Sequence, residues 1–397
     1  MKRIADAPQE PPLDNVAFWY DPRKRSMLYQ VGVLAMVGLL GYYLVSNTLG
    51  NLERQAIATG FGFLEKEDAV EIGDSVIPYS AADSYLSALL VGVLNTLLVS
   101  FIGVVLTVIL GTIIGILRLS TNWLVSRLAA VYIEIFQDIP VLLQLFFWYA
   151  LFYEVLPSPR QALSPFSGVF MSNRGLVIAV PEYAPAHMYM GIAFLAGCLA
   201  VYFMRRWARK RQAKTGEYFP VFSVSIGLLI VLLLVAWLVG GAPTAMSVPQ
   251  LKGFNFQGGQ NISPEFSALL LGLVLYTAAF VAEVVRAGIQ AVSKGQREAA
   301  MSIGLKPAQV LNLVILPQAL RVIIPPLTSQ MLNLTKNSSL AVAIGYPDFV
   351  SVAGTAINQT GQALEGVAMI MIVYLGFSLS TSAFMNWYNK KVALVER

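Results

Sequence analysis

The stretch Gln330–Ser339, QMLNLTKNSS, sets an ammonium group among amides and hydroxyls inside an otherwise apolar region. An ammonium at membrane depth is expensive unless it faces a cavity or a partner. Lys336 has the chemistry to hold a carboxylate, either a substrate's or that of an internal acid that fixes helix packing. Gln330, Asn333 and Asn337 are spaced to share one helix face and would line the same path, with Ser338 beside them. A second polar group, Glu134, Asp138 and Gln144, brackets Pro140, which interrupts a helix there. Asp138 suits a substrate ammonium, or serves as the partner of Lys336. Glu283 and Arg286, at i,i+3, suit a structural ion pair. Catalysis has little to draw on. Cys198 and His187 are the only residues of their types, which excludes a disulfide framework, a cysteine- or histidine-built metal site and a catalytic triad. No Gly-x-x-x-x-Gly-Lys-Ser/Thr phosphate loop is present, so any ATP must be hydrolysed elsewhere. No catalytic residue, metal ligand or resident cofactor is expected.

The elements that position these residues are membrane helices. The chain is 56% hydrophobic and 12% charged, with a mean hydropathy of +0.65, against roughly 25% charged in soluble domains. A hydrocarbon core about 30 Å thick needs roughly 20 apolar residues as helix. Eight runs qualify or nearly so: Met27–Val45, Leu86–Leu117, Leu128–Phe152, Met188–Met204, Val221–Val239, Phe266–Ala282, Val322–Gly345 and Val367–Met385. The second is long enough that it must tilt strongly or begin at the interface. Its Gly111–Gly115 pair has the spacing of a close-packing site, a spacing that chance also produces. The seventh has two registers. A span over 310–332 would bury Arg321 and leave Lys336 outside. A span over 322–345 brings Lys336, Asn337 and Ser338 near the midplane. Pro325-Pro326 suits a helix start in the second register.

Basic residues set orientation. They gather at Arg23–Arg25, at Arg118 and Arg127, in RRWARKRQAK over 205–214, at Lys294, Arg297 and Lys306, and at Lys390–Lys391. The intervening loops are base-poor, and 48–84 is acidic. Every second loop is therefore expected to be cytoplasmic, with both termini inside. The net charge of +5 reflects this placement beside spans, so no nucleic-acid partner is expected. The polar, proline-rich first 26 residues do not read as a cleaved signal peptide.

Between spans six and seven lies EAAMSIGLKPAQVLNLVILP, 298–317. Glu298 suits a helix start, where its charge favours the positive end of the dipole. Ala299, Ala300 and Ile303 give a small, shallow face. Gly304 suits a left-handed stop, and Pro307 the first turn of a second helix. The pattern predicts helix, sharp turn, helix on the cytoplasmic surface. Such a unit either docks in a groove of another protein or lies on the membrane as a connector.

Glu298-Ala299-Ala300, three residues, Gly304, nine residues, Val314, one residue and Leu316-Pro317 resemble the cytoplasmic loop of ABC-importer permeases, with Val in place of the usual Ile. Residues 95–120, 132–149, 282–300 and 337–345 extend the resemblance to the polar amino-acid permeases, over about 85–155 and 263–390. Within them it is strongest to the larger membrane subunits of general L-amino-acid importers, in the His/Glu/Gln/Arg permease branch. Gln137 and Asp138 stand where that family usually has Arg-Gly, so its contacts there do not carry over. The family pattern also favours the 322–345 register of span seven.

The resemblance implies an all-α polytopic membrane protein with about eight spans, a type I ABC importer permease core of five plus three extra. Residues 1–84 would add a tail, a span and an acidic periplasmic loop. Residues 85–155 and 263–397 would form the core, and 156–262 an insertion with two spans. The 298–317 loop would be the coupling helix that seats in an ATPase subunit. The implied partners are ABC ATPase subunits that bind ATP and Mg, a second, non-identical permease subunit forming a heterodimer, a periplasmic amino-acid-binding protein, an L-amino acid and lipid. The implied location is the bacterial inner membrane. The chain would be a transporter subunit without enzymatic chemistry of its own. The alternative is an ion-coupled secondary carrier, which calls for comparable repeat halves; no convincing repeat is present.

Overall fold

The computed structural model describes residues 21–54 and 59–392. The proline-rich tail over 1–20 and the last residues, 393–397, lie outside the described residues. Seven helices among the described residues are long and apolar enough to cross a membrane, or eight if one bent pair counts as a single span.

Helix α1 (Pro22–Arg54) is exposed at nearly all of its described residues. The acidic segment 59–84 follows, and Ser84 caps α2 (Tyr85–Arg118) by accepting from the Ser87 amide. The long run that was expected to tilt strongly or begin at the interface is one continuous helix of 34 residues, about 51 Å long. Then come α3 (Trp123–Asp138) and α4 (Val141–Ala150), which meet at a bend of 102°. Pro140 sits at the break and supplies no amide to carry the helix through. Span three is therefore two crossed segments and not one interrupted rod.

The segment 156–262 holds more than the two spans expected of it. Short strands β1 (Leu163–Phe166), β2 (Val169–Ser172) and β3 (Gly175–Ile178) form an antiparallel sheet, and β4 (Val180–Pro181) follows. The spans α5 (Pro185–Thr215) and α6 (Val221–Val239) come next. Strands β5 (Met246–Ser247), β6 (Gln250–Lys252), β7 (Asn255–Gln257) and β8 (Gln260–Ile262) return the chain, with β4 pairing β5 and β8 completing the order β1-β2-β3-β8. All the spans are helical.

Helix α7 (Pro264–Gln290) is the most buried span. It lies against α2 because both present small residues there. A Cβ on Gly111 would stand 2.6 Å from the Val281 side chain, and one on Gly115 2.6 Å from the Ala282 carbonyl oxygen. The Gly111–Gly115 pair is thus a true close-packing site, in which two backbones approach as no larger residue would allow. After α7 come α8 (Lys294–Ser302), α9 (Pro307–Val310), a π-turn over Leu311–Ile315 and α10 (Leu316–Asn337). A 3-10 segment, Ser338–Ile344, leads to α11 (Phe349–Thr360) and α12 (Ala363–Val392).

The helical path into span seven runs from Pro307 to Ile344. Pro325 and Pro326 lie inside α10, against the expectation that they open a helix. Membrane helices accommodate such prolines because neighbouring helices hold them and surrounding groups satisfy the freed backbone. Here α10 is clasped against α7, where Ile323 fills the space over Gly288.

Candidate functional site

The punctuation of 298–317 becomes a defined turn. Helix α8 ends at Ser302 with Ile303 as its C-cap, and Gly304 takes φ +87°. The Gly304 amide donates to the Met301 carbonyl at 2.9 Å, and the Leu305 amide to the Ala300 carbonyl at 3.3 Å. These two bonds are the Schellman pattern that satisfies the last carbonyls of a helix. Pro307 then opens α9, and the Gln309 side chain accepts from the Lys306 amide at 2.9 Å. Leu316-Pro317 follows the π-turn, in which the Leu316 amide reaches back five residues to Leu311. That extra residue is a local adjustment of the ladder just where Pro317 has no amide to give.

Two details differ from expectation. Helix α8 begins at Lys294 behind Ser293, so Glu298 is mid-helix and not at the positive end. Ala300 is buried and Val310 with it, whereas Ala299, Met301 and Ile303 face outward, Ile303 at 78% exposure. The small-residue face therefore divides: Ala300 roots the unit on the protein, and Ala299 with Ile303 presents it.

The polar residues of spans three and seven fall into separate sets. In α3, the Tyr132 hydroxyl donates to Leu275 O at 2.7 Å and Gln137 Nε2 to Ala279 O at 3.2 Å. These bonds pin one face of α3 to α7 and leave Glu134 and Asp138 exposed on another. Gln144 is 5% exposed and donates to Phe136 O at 3.0 Å and Ile139 O at 2.8 Å. It closes the orphan carbonyls at the end of α3 and so builds the bend. Its Oε1 is buried without a partner.

In α10, Ala319, Ile323, Ile324 and Leu334 are buried. Lys336 and Asn333 are exposed, and Gln330 and Asn337 half-buried. Ser338 is fully buried and donates to Thr335 O at 2.7 Å. The ion pairs among the described residues are Lys24–Asp21, Arg211–Glu217 and Arg286–Glu283. The last is the pair expected from sequence, at 2.5 Å, with Gln290 accepting from the same guanidinium at 2.7 Å. Lys336 is in none of them, and no acid of the described chain pairs with it.

At the opposite end of the spans is a cavity of 580 Å³ that no single stretch of sequence announces. Asp68, Glu71 and Asp74 come from the acidic segment, Asn173 and Arg174 from the β2–β3 turn, and Glu265, Ser351 and Thr355 from the helices. Ser263 caps α7 by accepting from Phe266 N at 3.0 Å while its hydroxyl donates to Asp74. Burial pushes the Asp74 carboxyl up, and the Ser263 bond pulls it part of the way back. Asn95, 1% exposed on α2, donates to both Asp74 O at 2.7 Å and Pro347 O at 2.9 Å. Next to it, Asp348 is fully buried, accepts from Ser351 N at 2.9 Å and takes the Tyr374 hydroxyl at 3.1 Å. Its pKa is raised to about 6, because burial outweighs those hydrogen bonds.

Comparison with known proteins gives these features a family. Residues 189–394 match the family "Binding-protein-dependent transport system inner membrane component". The chain is 50% identical over 381 residues to the general L-amino acid transport system permease protein AapQ of Rhizobium johnstonii, covering 95% of this chain and 94% of the relative. It is 48% identical over 379 residues to the putative amino-acid ABC transporter permease protein YhdX of Escherichia coli, covering 95% and 96%. The glutamate/glutamine/aspartate/asparagine transport system permease protein BztB of Rhodobacter capsulatus is 41% identical over 415 residues, covering 95% and 96%. A full-length kinship of this kind displaces the secondary-carrier alternative. With its multi-pass helical body, this chain belongs to the inner membrane components of binding-protein-dependent transport systems, as an ABC-importer permease.

Proposed function

We propose that this chain is one of two membrane subunits of an ATP-driven importer that carries L-amino acids into the cytoplasm. The cargo follows from the relatives, whose names specify amino acids over nearly the whole of this chain's length. A periplasmic binding protein delivers the amino acid to the end bearing the 580 Å³ cavity. Separate ATPase subunits, which bind ATP and Mg, attach at the other end. Both termini lie in the cytoplasm, on the same side as Arg118, the 205–214 bases and the 298–317 loop, as the distribution of bases favours.

The observation that carries this reading is the α8–Gly304–α9 unit. It is rooted by buried Ala300 and Val310 and exposes Ala299, Met301 and Ile303, which no other described residue covers. A short rigid helix held at a fixed angle is what is needed to pass a partner's movement into span seven. Glu298, Ala299, Ala300, Gly304, Leu316 and Pro317 are the residues assigned to coupling: the first three form the docking helix, Gly304 the turn, and Leu316-Pro317 the joint to α10. ATP binding closes the ATPase pair, and the loop transmits that motion to the spans. Hydrolysis resets them.

Lys336 supports the two-subunit arrangement. An ammonium at membrane depth needs a cavity or a partner, and no acid among the described residues pairs with it. We assign Lys336 to the substrate carboxylate, with Asn333, Asn337 and Gln330 on the same path. The second permease subunit, a non-identical chain, encloses that path. Glu134 and Asp138 face the amino-acid ammonium. The experiment is to purify the chain from its native membrane, identify the ATPase and permease subunits that accompany it, and reconstitute uptake. ATP-dependent uptake of L-amino acids is the expected result. Uptake that persists without ATP, in a preparation holding no ATPase, would defeat the proposal.

A further inference from the structure

The α5–α6 hairpin packs chiefly on itself, and its register is fixed at three levels. Gly240 lies over Ala186, Gly197 over Leu229, and the Trp207 and Phe219 rings meet edge to face at 5.4 Å. The same register puts Arg205 level with Val221, the first residue of α6. Helix α5 nevertheless continues to Thr215, ten residues further and about 15 Å by helical rise. It stops at Gly216, whose φ of +74° turns the chain back.

That projecting piece carries Arg205, Arg206, Arg209, Lys210, Arg211 and Lys214, every one exposed. Among the described residues, Arg211 alone of these is engaged in an ion pair, at 2.6 Å with Glu217, and it also lies over the Trp207 ring at 5.4 Å. The headgroup layer is roughly 5–7 Å deep on each side of the hydrocarbon. Arg205, Arg206 and Arg209 fall within about 6 Å of the α6 boundary by helical rise. They stand in that layer, held on a rigid helix. Exposed Tyr202, Phe203 and Trp207 sit at the same boundary, as interfacial aromatics do.

We propose that the end of α5 is a binding site for anionic phospholipid headgroups, with Arg205, Arg206 and Arg209 holding the phosphates. A guanidinium fits a phosphate through paired N–H donors, and basic clusters directly beside a span attract anionic lipid. The depth of these bases favours lipid over a protein partner, since a soluble ATPase would meet residues beyond the headgroups. The site gives the peripheral hairpin a fixed seat in the membrane while the remaining spans move. It rests on the spans crossing the membrane and is independent of which substrate is carried.

The test uses the full complex as purified, reconstituted in phosphatidylcholine vesicles containing a photoactivatable lipid. One sample carries photoactivatable phosphatidylglycerol and the other photoactivatable phosphatidylcholine at the same mole fraction. Cross-linking to the peptide spanning 205–219 is then quantified. The phosphatidylglycerol yield is expected to exceed the phosphatidylcholine yield by about threefold or more, and to fall in high salt. The triple variant Arg205→Gln/Arg206→Gln/Arg209→Gln should reduce the ratio to near one. The matching triple Lys variant should keep most of it, which controls for folding. Equal yields for the two lipids in the unmodified protein would overturn the proposal, as would a Gln variant that keeps the preference. Loss of the co-purifying ATPase from the Gln variant, with the lipid ratio unchanged, would instead assign the patch to a protein partner.

Discussion

The Leu305 amide reaches back across Gly304 to the Ala300 carbonyl at 3.3 Å. That bond closes α8 and sets the angle at which α9 leaves. It depends on a backbone conformation that L side chains rarely adopt.

Replacing Gly304 tests the turn. A Cβ there would meet nothing within 4 Å, so the penalty of Gly304→Val is conformational, about 1–2 kcal/mol. The docking helix should shift while the spans stay folded. The expected outcome in proteoliposomes is continued ATP hydrolysis with a several-fold drop in amino acid moved per ATP. Gly304→Asn, which tolerates the left-handed region, should fall between Val and Gly. Unchanged coupling in the Val variant would refute the role of the turn.

Lys336→Met tests the substrate path. Because Lys336 is exposed and forms no ion pair among the described residues, its removal should leave thermal stability nearly unchanged. A charge-assisted hydrogen bond to a carboxylate contributes about 1.5–3 kcal/mol. Uptake of every substrate with an α-carboxylate should therefore weaken by roughly tenfold or more, measured as initial rates at low substrate. An unaltered rate would remove Lys336 from the path.

The α2–α7 contact makes a stability prediction. Gly115→Leu would drive its side chain into the Ala282 carbonyl, a backbone atom that cannot yield. Loss of at least about 2 kcal/mol is expected, read as a lower melting temperature in detergent. Gly354→Ala, where a Cβ meets nothing within 4 Å, should be nearly neutral and serves as the control.

Asp348 predicts a pH dependence. Its folded pKa of about 6 lies above the ordinary value of 3.8, so the folded state favours the protonated carboxyl. Its contribution is therefore most favourable below pH 4 and is lost as pH rises through about 6. The shift corresponds to a penalty on the order of 3 kcal/mol above pH 7. Asn at the same position can still cap α11. The melting temperature of the native protein minus that of Asp348→Asn should thus fall between pH 4.5 and 7.5. A difference independent of pH would contradict the raised pKa.

What was legible in the sequence was local. Gly304, Pro307 and Leu316-Pro317 act on their own backbone, so the turn and its side chains could be placed from spacing. The start of α8 does carry a signal, Ser293 with Gln296 three residues on, whereas the charge of Glu298 points to a start one turn too late. Pro325-Pro326 misled for a tertiary reason: α7 holds α10 together across residues that would end an isolated helix. Gly111 and Gly115 carried a true signal that chance imitates, and only the approach of Val281 and Ala282 separates the two. The cavity was invisible because its parts are distant. Asn95 joins Asp74, 21 residues away, to Pro347, 252 residues away, and no periodicity records such a link. The strands of 163–262 are two to four residues long, too short for alternation to show.

Residues 298–317 are proposed to seat in an ATPase subunit. The decisive experiment places a cysteine at Ile303, the most exposed apolar residue of the docking unit, in a Cys198→Ser background. A short bifunctional reagent is then applied to the purified complex. A cross-link from position 303 to the co-purifying ATPase is expected, with a yield that changes when ATP is added, and none from a cysteine placed at Ser75 on the opposite end. A complex that contains the ATPase and transports normally, yet gives no cross-link at 303 under any nucleotide condition, would contradict it.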